Sequence, residues 1–424
     1  MPHHQTRIQG LPVSGIAEEF GTPLFVYDAQ SIGDDYRRLR DGLRPSVDIF
    51  YSLKANPNIS VSACLRSLGA GAEVSSEAEL FTALRAGFAP EDIIFLGPGK
   101  TARELAACVR AGIRAVVCES FGELRRLDRV AALSDRAARV PVMLRVNPPV
   151  PTSGSGLAMG GKPRQFGMDA DLLRGSRAEL ASLRHLRVTG IHAYLGTRFL
   201  RHEDVVHNTR AVLAVAGRLS EDLGIPLGTV DFGGGIGVAY FEHEKDPDLG
   251  ALVDGINDAV DDFARTHPGC RFILEAGRHL TAASGTYVVR VLDVKESMGE
   301  TFVVADGGTN HHMAAVGVGS FVRRNFPLGV LDHRGEPSTM RCTVTGPLCT
   351  PADVLAKNVT LAAVRPGDLL GVGRSGAYGP SASPGRFLSH GYPAEVLVHD
   401  GKAHLVRRRD TLDDLLDPQT LVEL

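Results

Sequence analysis

VDIFYSLKAN, residues 47–56, is the stretch on which the fold turns. An apolar run, Ile49-Phe50-Tyr51, leads into Lys54, and Ala-Asn-Pro-Asn then breaks the chain. A buried strand that ends on a lone amine has two readings. The amine is either a solvated cap or a group held at a strand mouth to form a Schiff base. The rest of the chain decides between them.

Outward from this stretch a rhythm appears. VDIFYSLK, AEVSS, DIIFLG, RAVVCES, PVMLRVN, VTGIHAYLG, TVDFGGG and RFILEAG are short apolar runs. Amphipathic segments lie between most of them, such as EAELFTALRAGF (77–88) and DVVHNTRAVLAVAGRLSEDLG (204–224), and Gly often closes the turn. Eight strand candidates alternating with helices across about 46–280 is the count of a (β/α)8 TIM-like barrel. A doubly wound sheet has the same alternation, and counting does not show closure.

After about 285 the rhythm changes. TYVVRVLDV, TFVVADGG, MRCTVTG, GDLLGVG and AEVLVHDGKAHLV read as strands with little helix between them, and His399-Asp400-Gly401-Lys402 reads as a hairpin turn. The expected architecture is α/β plus all-β: a barrel over 35–285, and a C-terminal β-sandwich or β-barrel domain over 286–424. Residues 1–34 join the latter through the early strand PLFVY (23–27). One loop, NPPVPTSGSGLAMGGKPRQFG (147–167), is long and rich in Gly, Pro and Ser, and residues 150–165 are expected to form a lid.

Composition excludes several classes. The chain has 424 residues, 43% hydrophobic and 22% charged, with a net charge of −3, so nothing points to nucleic acid or a membrane surface. The start has no signal-type apolar core, and no stretch reaches the ~18 apolar residues of a membrane span. Six cysteines without paired spacing fit reduced thiols in the cytoplasm and argue against a disulfide framework or a metal site.

In such a barrel the C-terminal strand ends share one mouth. Here those ends carry Lys54, Arg145 with Asn147, His192 with Tyr194 and Thr197, Gly233-Gly234-Gly235, and Glu275-Ala-Gly277-Arg278. Successive glycines let backbone N–H groups approach a phosphate, and Arg278 strengthens that reading. A lysine, a phosphate cradle and a carboxylate around one cavity match the needs of pyridoxal 5'-phosphate. The lysine binds the aldehyde, the cradle the phosphate, and Glu275 keeps the ring nitrogen protonated. Two other motifs fail. GVGRSG (371–376) fits a dinucleotide fingerprint, but no helix can follow it. GPGKT (97–101) lacks the leading Gly of a P-loop, since Ile94 stands there.

These residues resemble the fold-type III pyridoxal-phosphate amino-acid decarboxylases, the group of diaminopimelate, ornithine and arginine decarboxylases. The similarity runs through EEFGTPLFVYD (18–28), YSLKAN, GAEVSSEAEL, FGGG, EAGR, DGG (306–308), GPLC (346–349), GAYG (376–379) and Phe387. The resemblance implies a Lys54 aldimine and a quinonoid intermediate on the way to loss of carbon dioxide. It implies a phosphate site at Gly233, Gly234, Gly235, Gly277 and Arg278, with Tyr378 near the phosphate and Glu275 at the ring nitrogen. Cys349 would return a proton from the second chain of a homodimer with shared active sites.

Two departures bear on specificity. Where many relatives have HxHxGS, this chain has GIHAYLGT, so Tyr194 replaces the ring-facing histidine and Thr197 the serine. After the cysteine, relatives acting on diamino acids carry an acid that pairs with the distal ammonium, and here it is Thr350. The expected substrate therefore lacks a free distal ammonium, as in the branch that decarboxylates siderophore intermediates or glutamyl units on carrier proteins. Arg323 and Arg324 are candidates for a distal carboxylate. The alternatives are a diaminopimelate decarboxylase making lysine and a non-catalytic regulatory homologue. Retention of Lys54 and Cys349 argues against the latter.

Overall fold

The structure is a computed structural model, and it describes residues 6–134, 138–150, 154, 157–313, 324–331 and 337–423. The chain divides into a barrel unit, residues 33–239 with 245–280, and a sheet unit, residues 1–32 with 240–244 and 281–424.

The barrel unit closes. Its strands are β1 (Val47–Ser52), β2 (Gly71–Val74), β3 (Ile93–Phe95), β4 (Ala115–Cys118), β5 (Val140–Asn147), β6 (Leu186–His192), β7 (Thr229–Gly234) and β8 (Arg271–Ala276). Each pairs in parallel with the next, and β8 returns to β1 with Phe272 opposite Val47. That circuit decides for the barrel over the open doubly wound sheet. Phe50, Ile94, Leu96, Ala115, Val117, Met143 and Ile273 form one buried cluster drawn from β1, β3, β4, β5 and β8. Such a filled core is expected of this architecture.

The helices are locally specified. Glu77–Arg85 is N-capped by Ser76, and Ala102–Ala111 opens on a capping box of Thr101 and Glu104. His202–Leu223 stops at Gly224, whose φ of 64° is a left-handed cap. The lysine of GPGKT is a structural member: Lys100 is buried, donates to Gly97 O and Val117 O at 2.7 Å each, and pairs with Glu123 at 2.7 Å.

In the sheet unit, Leu24–Asp28 lies between Gly285–Ser297, to which it is antiparallel, and Ala394–His399, to which it is parallel. The early strand thus belongs with the C-terminal strands in one nine-stranded sheet. Val26, Val288, Leu369, Val396 and Val398 build its core. Ala394–His399 turns into Lys402–Arg407 through Asp400 and Gly401, both at positive φ (48° and 68°), as a two-residue hairpin requires.

The described part of the 147–167 loop is tied to the barrel. Leu157–Ala158 pairs with Gly196–Thr197, and the N–H groups of Met159 and Gly160 donate to Leu195 O. The Asn147 side chain binds Gly161 N–H and Lys162 O.

Candidate active site

β1 ends at Ser52, and Lys54 occupies a single 3-10 turn, Leu53–Ala55. Leu53 and Ala55 are buried, so the turn projects Lys54 alone, and Tyr51 Oη closes it by donating to Asn56 O at 2.7 Å. Lys54 Nζ lies 3.1 Å from Oε2 of Glu73, a fully buried carboxylate on β2, while its own side chain is 36% exposed. The amine is therefore held by a buried carboxylate on a side chain that is partly exposed. The ring centroid of Tyr194 is 5.2 Å from Nζ.

Across the mouth, β6, β7 and β8 bring three buried groups together. The ligand atoms of His192, Asp231 and Glu275 all lie within 4.8 Å of one another, a set that a divalent ion could also use. His192 Nε2 is 2.9 Å from Glu275 Oε1. Burial pushes the Glu275 carboxyl up, but the His192 hydrogen bond and the charges of His192, Lys54 and Arg145 outweigh it, leaving Glu275 below the ordinary carboxylate range. Asp231 goes the other way: burial, then the charge of Glu275, holds it well above that range. The pair shares its protons unequally, with Glu275 the anion and Asp231 the acid.

The glycines make this approach possible. Pairing of β7 with β8 shifts register between Asp231 and Gly234, and Gly233 N–H donates to Asp231 Oδ1 at 2.8 Å. Gly233 and Gly235 have φ of 68° and 82°. A Cβ on Gly234 would sit 1.8 Å from Glu275 O, and one on Gly235 2.3 Å from Gly196 O. The triplet, read from sequence as a phosphate cradle, thus also draws the ends of β6, β7 and β8 together. Gly277 does the same for the Lys54 turn, since its Cβ would meet Ala55 Cβ at 3.0 Å and Ser52 Cβ at 3.1 Å. Arg278 follows at once and opens the short helix Arg278–Thr281.

Glu119, just after β4, fastens the rim beside these groups. It accepts from Gly97 N–H at 3.0 Å, Arg145 Nη1 at 2.7 Å and Gly167 N–H at 3.1 Å.

The barrel unit therefore brings Lys54, Tyr194, Thr197, Gly233, Gly234, Gly235, Glu275, Gly277 and Arg278 to the C-terminal ends of β1, β6, β7 and β8. Sequence reasoning does not single out Glu73 or Asp231. Each is a carboxylate inside an apolar strand, GAEV and TVDF, and a buried acid needs a partner. That was the available signal.

The sheet unit holds the remaining candidates. Cys349 is exposed, and Thr350 Oγ1 accepts from Ala352 N–H at 3.3 Å. Asp353 is buried and fully engaged: Oδ1 accepts from Thr309 N–H and Oγ1, and Oδ2 from Leu348 N–H. Tyr378 has a φ of 56°. Arg324 donates to His243 Nε2 at 2.9 Å, lies over the Phe241 ring and faces Glu244 at 3.7 Å. Arg323 lies outside the described residues.

Comparison with known proteins places this geometry. The family model for the pyridoxal binding domain of pyridoxal-dependent decarboxylases matches residues 29–282. The L-glutamyl-[BtrI acyl-carrier protein] decarboxylase of Niallia circulans is 39% identical over 97% of this chain and 96% of its own length. The diaminopimelate decarboxylase of Pseudomonas aeruginosa is 32% identical over 98% of this chain and 96% of its own. In three dimensions, diaminopimelate decarboxylase from Helicobacter pylori, solved with L-lysine, superposes with a TM-score of 0.86 at 28% identity, covering 96% of this chain and 98% of that one. The barrel residues fit a pyridoxal cofactor. Glu275 Oε2 accepts no hydrogen bond among the described residues. Asp231 Oδ2 and His192 Nδ1 are buried without one. The amine of Lys54 adds its charge to the same mouth.

Proposed function

The chain belongs to the pyridoxal-dependent decarboxylases, and from that premise we propose that it removes the α-carboxylate of an amino-acid unit with no free distal ammonium, a glutamyl unit borne by a carrier protein being the best-supported case. The observation that carries the substrate class is the pair Thr350 and Asp353. Thr350 stands where an ammonium-binding acid is expected, and a hydroxyl cannot replace a carboxylate there. Asp353, the nearest acid in sequence after it, has both oxygens committed to Thr309 and Leu348. The Niallia circulans relative, named for a glutamyl carrier-protein substrate, supports the same reading.

Bound pyridoxal phosphate supplies an electron-poor ring that takes up the electron pair left at Cα when carbon dioxide departs. Lys54 Nζ would hold the cofactor aldehyde, and Glu73, 3.1 Å away, would orient that amine and stabilise it when it carries a proton. Glu275, kept anionic by His192, holds a proton at the ring nitrogen. Gly233, Gly234, Gly235, Gly277, Thr197, Tyr378 and Arg278 bind the phosphate, and Tyr194 offers an aromatic face to the ring. Cys349 Sγ returns a proton to Cα in a cytoplasmic homodimer with shared active sites. Arg323 and Arg324 are assigned to the distal end of the substrate. Among the described residues no helix is long and apolar enough to cross a membrane.

A second reading, diaminopimelate decarboxylase, is favoured by the Pseudomonas aeruginosa relative and opposed by Thr350. Mass spectrometry separates them. Holoenzyme is incubated with L-glutamyl-BtrI carrier protein or with meso-diaminopimelate, beside a Lys54→Ala control. Loss of carbon dioxide from the carrier-borne unit is expected. Lysine at comparable rates would overturn the reading.

A further inference from the structure

Two adjacent segments at the barrel mouth carry an unusual charge balance. Residues 157–167 and 190–201 contain Lys162, Arg164, Arg198 and Arg201 and no carboxylate, in a chain whose net charge is −3. The fold puts these segments side by side. Leu157–Ala158 and Gly196–Thr197 form a two-stranded ribbon, and Leu195 O holds the N–H groups of Met159 and Gly160. The ribbon therefore has a fixed backbone. It starts two residues after Tyr194, whose ring faces Lys54.

Three of the four cations, Lys162, Arg164 and Arg201, are exposed, while Arg198 is half-buried. Lys162 and Arg164 are exposed, and neither makes an ion pair among the described residues. Arg164 instead anchors its Nε to Ala158 O at 3.2 Å. Arg201 is 70% exposed and meets Glu203 and Asp204 only at 3.6 and 3.9 Å. Leu157 adds an apolar side chain that is 57% exposed. Charges spread along a surface ribbon, with an exposed leucine among them, suit a broad acidic protein surface better than a small anion, which takes a concave site.

We propose that this ribbon is the docking surface for an acidic carrier protein that delivers the substrate to Lys54. The proposal rests on the carrier-borne substrate of the preceding subsection and adds where the carrier lands. Rim charges of this kind act mainly by steering encounter, so they lower KM for a macromolecular substrate and leave the chemical step alone.

The test uses holoenzyme and a Lys162→Glu/Arg164→Glu/Arg201→Glu variant. Two probes are compared: L-glutamyl-BtrI carrier protein and the glutamyl thioester of N-acetylcysteamine, which has no protein surface. KM for the carrier probe is expected to rise about tenfold or more, with kcat nearly unchanged. The rate on the small thioester should not move, which also shows that the variant is folded. Raising salt from 50 to 300 mM, about a twofold or greater shortening of the screening length, should raise the wild-type KM for the carrier toward that of the variant. Equal KM values for the carrier probe in both proteins would overturn the docking surface alone. If wild type turns over the small thioester but not the carrier-borne unit, the carrier reading falls and the docking surface with it.

Discussion

His192→Phe tests the electrostatic arrangement of the mouth most directly. Among the described residues the imidazole makes one hydrogen bond, Nε2 to Glu275 Oε1 at 2.9 Å, and both side chains are buried. Phenylalanine fills similar space but offers no donor. A hydrogen bond to a charged group contributes about 1.5–3 kcal/mol. At 1.36 kcal/mol per unit, its loss should move the Glu275 carboxyl upward by about one to two units. Glu275 then holds a proton at the cofactor ring less well, and the dissociation constant for pyridoxal phosphate should rise about 10–100-fold. Titration of the apoprotein with the cofactor, followed by absorbance, measures this without turnover. The sign of the pH effect follows from the direction of the shift. A depressed carboxyl gives its benefit above its ordinary value and loses it as pH falls through the lowered one. Wild-type affinity should therefore persist into acid, and the variant should lose affinity at higher pH. His192→Gln, which keeps an amide donor, should recover much of the difference. A Phe variant that binds the cofactor as tightly as wild type, with the same acid limb, would refute the role given to His192.

Lys54→Ala should abolish carbon dioxide release, and substantial residual turnover without added amines would count against the assignment of Lys54. Thr350→Glu should raise kcat/KM for meso-diaminopimelate by about tenfold, the worth of one charge-assisted hydrogen bond; an unchanged value would remove Thr350 from the substrate site. Acid should also weaken the fold. Burial lowers His279 and His311 from 6.5 to about 4 and His312 to about 3. Their contribution is complete above 6.5 and lost as pH falls toward those values, about 2 kcal/mol each between pH 8 and pH 5. Asp35, raised by burial to about 6, opposes them by about 1 kcal/mol over the same interval, and Asp231, also held high by burial, opposes them in the same direction, so the three histidines set the sign only by their combined weight. Urea midpoints at the two pH values check the sign, and a higher midpoint at pH 5 would contradict it.

What was legible in the sequence had local causes. The run Ile49-Phe50-Tyr51 before Lys54 reads as a strand because three buried apolar residues and a Pro-bounded break leave little else. The His399–Lys402 turn reads as a hairpin because Asp-Gly accepts two positive φ angles. The barrel was countable for the same reason, but its closure lies in the pairing of β8 with β1, some 220 residues apart, which no local pattern encodes. The partners of Glu73 and Asp231 were illegible on similar grounds. Whether an acid inside a strand meets a lysine or another acid depends on register between strands. For Asp231 that register is set by the slip at the glycine triplet. Lys100 shows the converse: a motif-like lysine whose partners, Val117 O and Glu123, make it a brace.

The trio of His192, Asp231 and Glu275 gives this mouth a single buried negative charge, as the proposed function requires. Two buried carboxylates so close cannot both ionise cheaply. A hydrogen bond from His192 selects Glu275 as the anion, while Asp231, bonded through Oδ1 to Gly233 N–H, keeps its proton. Were the roles reversed, the charge would sit on the group locked into the glycine turn. As arranged, the single negative charge belongs to the carboxylate whose second oxygen, Oε2, accepts no hydrogen bond among the described residues. That oxygen can meet one positive charge, and under the proposed function a protonated ring nitrogen would supply it.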